Sequence, residues 1–137
     1  MTDSTQPATA GSTGSGGGLT HVRTVAIAVD DQDRALAFYS DVLGLEVRLD
    51  AEFAPGNRWI EVAPAGAETS VALVPATREQ PAGGDTGIRF TTADAAADHA
   101  RFAAAGVDVD DVLRWEGVPP MFQFRDVDGN LLTAVEA

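Results

Sequence analysis

The residues able to do chemistry are few, and the missing types narrow the options as much as the present ones. The 137-residue sequence has no cysteine and two histidines, and all nine of its bases are arginine. Without cysteine there is no disulfide, thiolate metal site or thiol nucleophile. Without lysine there is neither a Walker A phosphate loop nor a lysine Schiff base. No Gly-x-Ser-x-Gly elbow occurs, and neither His21 nor His99 is placed near a serine nucleophile. Asp126-Val-Asp-Gly-Asn130 begins like a calcium loop. However, Leu131 stands where such a loop needs glycine and Ala137 where it needs glutamate, so the segment reads as a hairpin turn. Asp108, Asp110 and Asp111 read as a solvated acidic cluster.

Charge and composition bound the partners. Twenty-one acids give a net charge of −12, which repels phosphate backbones and argues against nucleic acid. Such a surface attracts cations, or simply stays solvated. Apolar residues make up 45% and charged residues 22%, close to a globular average. No apolar run approaches the roughly 20 residues of a membrane helix, so no membrane partner is expected. Residues 1–18 are rich in glycine and serine and lack hydrophobic periodicity, which predicts a disordered tail. They have no basic start and no apolar core, so they do not read as a signal peptide, and a cytoplasmic location is expected. Abundant alanine and absent lysine suggest a GC-rich bacterial genome.

The elements that must position any site start at Val22. Val22–Val29 alternates as a strand. Asp30 or Asp31 can cap a helix to about Leu43, with Leu36, Tyr39 and Leu43 on one stripe and Gly44 at its end. Three strand-like segments follow, Leu45–Leu49, Arg58–Ala63 and Ser70–Val74. A linker rich in proline and glycine, Pro75–Asp85, precedes a repeat of the same order. Ile88–Thr92 reads as a strand, and Thr92 or Asp94 can cap an alanine-rich helix closed by Gly106. Strands at Val109–Leu113, Met121–Phe124 and Leu131–Val135 complete the second half. Placing Asp31 on Asp94 sets Ile27 on Phe90, Val25 on Ile88 and Tyr39 on Phe102. Gly44 then meets Gly106 after a one-residue gap. The chain therefore reads as α+β, with two tandem βαβββ modules at 22–75 and 87–136 joined by linker 76–86 in one domain, 22–136.

Val25-Ala-Ile-Ala-Val-Asp30, Arg34-Ala-Leu-Ala-Phe-Tyr39 and Leu43-Gly-Leu45 resemble the first module of the glyoxalase/bleomycin resistance/extradiol dioxygenase superfamily, the vicinal oxygen chelate proteins. Ile88-Arg-Phe-Thr-Thr92, Ala105-Gly-Val107 and Phe124-Arg-Asp-Val-Asp-Gly-Asn130 resemble the second. The resemblance implies a curled mixed sheet around a cleft, in a homodimer. In metal-dependent members it implies a divalent ion held by His, Glu or Gln on the first and last strands of each module. Those positions fall here on Thr24, Ala72, Gly87 and Thr133, which implies no metal and no cofactor. A divalent ion would be expected only if this placement is wrong.

With Thr24 facing the cleft, alternation turns Ala26 and Ala28 the same way, and Gly87, Arg89, Thr91, Thr133 and Val135 follow in the second module. Trp59, Glu61, Met121 and Gln123 fall on that face, and Trp115 can overhang its mouth. The expected ligand-binding set is thus Thr24, Trp59, Glu61, Arg89, Trp115, Met121, Gln123 and Thr133. It forms an aromatic, mostly apolar site with a few polar groups. Glu61 and Arg89 either pair with each other or orient a polar ligand, and Glu61 acts as a general base only if burial raises its pKa. Trp59 serves either the cleft or core and interface packing. The catalytic residues are otherwise unknown. The expected function is binding or sequestration of a small organic molecule without metal. The alternatives are a metal-dependent lyase, isomerase or dioxygenase with displaced ligands, and a non-catalytic structural dimer.

Overall fold

The computed structural model describes residues 17–137, so nearly all of the expected tail, residues 1–18, lies outside the described residues. The first βαβββ unit comprises β1 (Thr24–Val29), α1 (Gln32–Ala37), β2 (Glu46–Ala54), β3 (Asn57–Ala63) and β4 (Ser70–Pro75). The second comprises β5 (Asp85–Thr92), α2 (Ala95–Ala104), β6 (Asp108–Val109), β7 (Met121–Arg125) and β8 (Leu131–Glu136). Each unit forms a four-stranded mixed sheet, ordered β1-β4-β3-β2 and β5-β8-β7-β6. In both, the first and last strands run parallel and the other pairs antiparallel.

Local chemistry explains the elements. Asp31 caps α1 by accepting from the Arg34 N–H at 3.1 Å, and Asp94 caps α2 by accepting from the Ala97 N–H at 3.0 Å. Such a cap contributes about 1 kcal/mol. Beyond Ala37 the first helix widens into a π-helical turn, Phe38–Val42, with Phe38 and Tyr39 both buried. Gly44 and Gly106 follow the two helices at φ of 78° and 86°, where a side chain would strain the backbone.

Alternation along the strands turns Ile27, Val29, Ile60, Val62, Val71 and Leu73 inward from the first sheet, and Phe122, Phe124, Leu132 and Ala134 from the second. Together with Tyr39 and Phe102 they form a single core spanning both units. Each large side chain buried there contributes about 1.5–3 kcal/mol.

The expected tandem βαβββ modules are present, and no strand pairing joins one four-stranded sheet to the other. Side-chain ties bridge the units instead. Tyr39 donates its hydroxyl proton to Asp126 Oδ2 at 2.7 Å, and Asn130 Nδ2 donates to the Ala28 carbonyl at 2.9 Å. Arg34 pairs with Asp128 at 2.9 Å, and Arg101 donates to the Val42 carbonyl. Two strands differ from expectation. β2 runs on to Ala54, while Val109–Leu113 contracts to the short β6 plus a single bridge from Leu113 to Met121. Asp110 and Asp111 stand between Val109 and Val112 and break the period-two alternation a longer strand needs. The acidic cluster there is not merely solvated, since Arg125 reaches Asp110 at 3.1 Å and Asp108 at 3.7 Å.

Candidate functional site

The faces opposite the core carry the expected site residues, and strand register decides which of them meet. In the first sheet Ala26, Ala72, Glu61 and Leu49 form one cross-strand row. Thr24 lies opposite Ser70, and Trp59 opposite Ala51. Glu61 is the centre of this face. Its Oε2 accepts from Trp59 Nε1 at 2.7 Å, and its Oε1 accepts from Ser70 Oγ at 2.7 Å. Thr24 Oγ1 lies 2.9 Å from Ser70 Oγ. With the only Ser70 proton turned to Glu61, Thr24 is the donor in that contact.

The electrostatics follow from this geometry. The Trp59 hydrogen bond, then that of Ser70, holds the Glu61 carboxyl below the usual glutamate range; Arg23 adds to this and burial opposes it. The general-base reading of Glu61 required the opposite shift. A carboxylate stabilised as the anion is a weaker base, so proton abstraction is not assigned to it. Nor does Glu61 pair with Arg89: the two stand on different sheets, and Arg89 forms no ion pair among the described residues. Each oxygen still keeps a lone pair for a ligand donor.

In the second sheet Arg89, Thr133 and Gln123 form the corresponding row, and Met121 lies opposite Val135 one position along. Trp115 stands apart from that row in the segment between β6 and β7, 62% exposed. The structure thus gathers Thr24, Trp59 and Glu61 on one sheet and Arg89, Gln123, Thr133 and Met121 on the other. A groove of about 210 Å³ is lined by Arg23, Arg48, Glu61, Glu68 and Ser70. A second, of about 390 Å³, runs between the units and includes Arg89, Thr91, Val25 and Thr69. Glu68 lines both, so the two grooves adjoin.

Sequence reading missed Ser70, having matched Ala72 with Thr24. The parallel register pairs Thr24 with Ser70, two residues before Ala72, and gives it a hydroxyl neighbour instead of a methyl group. It missed Leu49 as well, the exposed apolar residue beside Glu61. Period-two alternation along β2 and β4 was the signal for both, although register is needed to apply it.

The donors at the positions tested for a metal do not fit a divalent ion. Ala72 and Gly87 have no donor atom, and the Thr24 and Thr133 hydroxyls are neutral and weak beside imidazole or carboxylate. His21 faces Glu68 at 3.3 Å. His99 lies with Nε2 2.9 Å from the Asp110 carbonyl and its ring edge-on to Phe122. Among the described residues no three His, Asp or Glu side chains converge as an ion site.

Two βαβββ units, each with one sheet face packed and one open, define a protein of the paired-module class. The sequence profile of the glyoxalase/bleomycin resistance protein/dioxygenase superfamily matches residues 18–133, and the chain belongs to that superfamily. It is similar to the uncharacterized protein YetH of Bacillus subtilis, 29% identical over 122 residues, which cover 86% of this chain and 99% of YetH. Among solved structures it resembles TnmS3, an antibiotic binding protein from Streptomyces sp. CB03234. That match has 32% identity and a TM-score of 0.80, and covers 88% of this chain and 98% of TnmS3. A superfamily member from Sphaerobacter thermophilus matches with 32% identity and a TM-score of 0.82, over 87% of this chain and 98% of that one.

Proposed function

We propose that this protein binds and sequesters a small organic molecule, using side chains alone and no metal ion. The observation that carries the reading is the fixed Glu61 carboxylate beside the Trp59 indole. One supplies a hydrogen-bond acceptor that is already oriented, and the other an apolar surface, the combination that orients and desolvates a polycyclic or cationic ligand. The carboxyl is held below the usual glutamate range, which suits an acceptor better than a proton-abstracting base and favours binding over turnover. The likeness to an antibiotic binding protein supports the same reading, and an antibiotic-like aromatic compound is the ligand class we assign.

A homodimer is part of the proposal. β2 is an edge strand with Val47, Leu49 and Phe53 exposed, and Phe53 is 70% exposed. An apolar edge of this kind is a liability unless it is covered, and a second copy of the chain would cover it.

The test is a thermal-shift screen of the full chain against aromatic and cationic antibiotics, bleomycin included, with each compound recovered and weighed by mass spectrometry. A stabilising compound recovered unchanged at one per site supports sequestration. Recovery of a chemically altered compound would show an enzyme instead, and light scattering that reports a monomer would remove the dimer.

A further inference from the structure

The two duplicated rows have diverged in a way that assigns a chemical group to the ligand. The overlay that sets Ile27 on Phe90 sets Ala26 on Arg89. The observed registers then set Ala72 on Thr133 and Glu61 on Gln123. In the first sheet this row holds two methyl groups and an anionic acceptor already engaged by Trp59 and Ser70. In the second sheet it holds a guanidinium, a hydroxyl and a carboxamide, none with a side-chain hydrogen-bond partner among the described residues.

We infer that Arg89, with Thr133 beside it and Gln123 one strand further along the same row, forms a subsite for a carboxylate of the bound molecule. This rests on the small-molecule-binding reading above and adds to it one anionic group on the ligand.

Three observations support the assignment. First, Arg34, Arg48, Arg58, Arg101 and Arg125 each pair with a carboxylate of the chain, whereas Arg89, like Arg23, Arg78 and Arg114, has none within ion-pair distance among the described residues; of those four it is the one whose strand register sets a hydroxyl directly beside it in the second sheet. Glu68, the carboxylate lining the same groove, is turned to His21. Second, the ladder between β5 and β8 is interrupted between Asp85 and Arg89, with Gly87 at φ 69° inside the irregularity. Gly87 takes the place of Thr24 in the overlay, and a Cβ built there would meet nothing within 4 Å. The space over Gly87 is therefore open, and the backbone geometry is what favours glycine there. Third, the planar fork of arginine matches the two oxygens of a carboxylate, while a neighbouring hydroxyl and amide N–H can complete the acceptor's shell.

The experiment compares two probes of equal shape, 2-naphthoate and 2-naphthamide, by calorimetry with the full chain near neutral pH. Naphthoate is expected to bind about tenfold more tightly, the scale of one charge-assisted hydrogen bond. Arg89→Gln is expected to abolish that preference, bringing the two affinities to within about twofold of each other, while Arg89→Lys keeps part of it. Because Arg89 is exposed, both variants should melt with the wild type. Equal binding of the two probes, or a preference that survives Arg89→Gln, overturns the anion subsite and leaves the aromatic face standing. Absence of binding by naphthamide as well overturns the subsite together with the reading beneath it.

Discussion

Tyr39→Phe removes a single oxygen from the tie between the two units, and its cost can be worked out from the geometry. Tyr39 is fully buried, and its hydroxyl donates to Asp126 Oδ2 at 2.7 Å. Burial and the Asp126 charge both push the phenol far above its ordinary pKa, so it stays a neutral donor. A hydrogen bond to a charged group contributes about 1.5–3 kcal/mol. Asp126 keeps other partners after the change: Asn130 Nδ2 at 3.0 Å on the same oxygen, and the Asp128 and Asn130 N–H groups on the other. The loss should therefore fall in the lower half of that range, about 2 kcal/mol. In a domain of this size about 1 kcal/mol moves the melting temperature by about 4 °C, so a fall of about 8 °C is expected. Urea melts should show a lower midpoint at unchanged slope. In a double-mutant cycle with Asp126→Asn, the two changes should couple by at least 1 kcal/mol or so. A Tyr39→Phe protein within about 0.5 kcal/mol of wild type, or strict additivity in the cycle, would refute the claim that this bond holds the units together.

Other consequences are open to direct measurement. Phe122 is fully buried and packs edge-on to His99 and Phe102, so Phe122→Ala should cost about 3–5 kcal/mol in a urea titration. Glu61 has a folded pKa below its unfolded value near 4.3, so its stabilisation is complete above that value and fades as pH falls through the folded one. Glu61→Gln should accordingly flatten part of the loss in melting temperature between about pH 6 and pH 3, and an unchanged acid profile would contradict the Trp59–Ser70 clamp. Elemental analysis of protein purified without chelators should find no stoichiometric metal, and Zn²⁺, Mn²⁺, Ni²⁺ or Fe²⁺ should leave the melting curve in place. About one tightly held ion per chain would overturn the donor-set argument.

Much of the architecture was legible because local signals agreed with one another. Asp31 and Asp94 cap the helices, Gly44 and Gly106 follow them, and the βαβββ order repeats. Site residues could be assigned to a face, since alternation fixes which side of a strand a residue occupies. Their partners could not, because register depends on pairing across the sheet. Ser70 therefore went unnoticed beside Thr24, and a Glu61–Arg89 pair was open until the two proved to stand on different sheets. The Asp126–Asn130 segment read correctly as a turn, yet its second role was invisible: Tyr39 and Asp126 are 87 residues apart, and only the packed units bring them together. Trp115, which the sequence allows to overhang the mouth of the cleft, follows a strand that ends early and is exposed in the segment between β6 and β7.

The most direct test of the central claim uses Trp59 as its own reporter. In a Trp115→Phe variant, Trp59 is the sole tryptophan, and its emission reads the environment of the Glu61 carboxylate alone. Titration with the antibiotics that stabilise the wild type should quench or shift that emission and saturate at one molecule per site, and Glu61→Gln should weaken the response. Saturable stabilisation of the protein with unchanged Trp59 emission would place the ligand elsewhere and contradict the account.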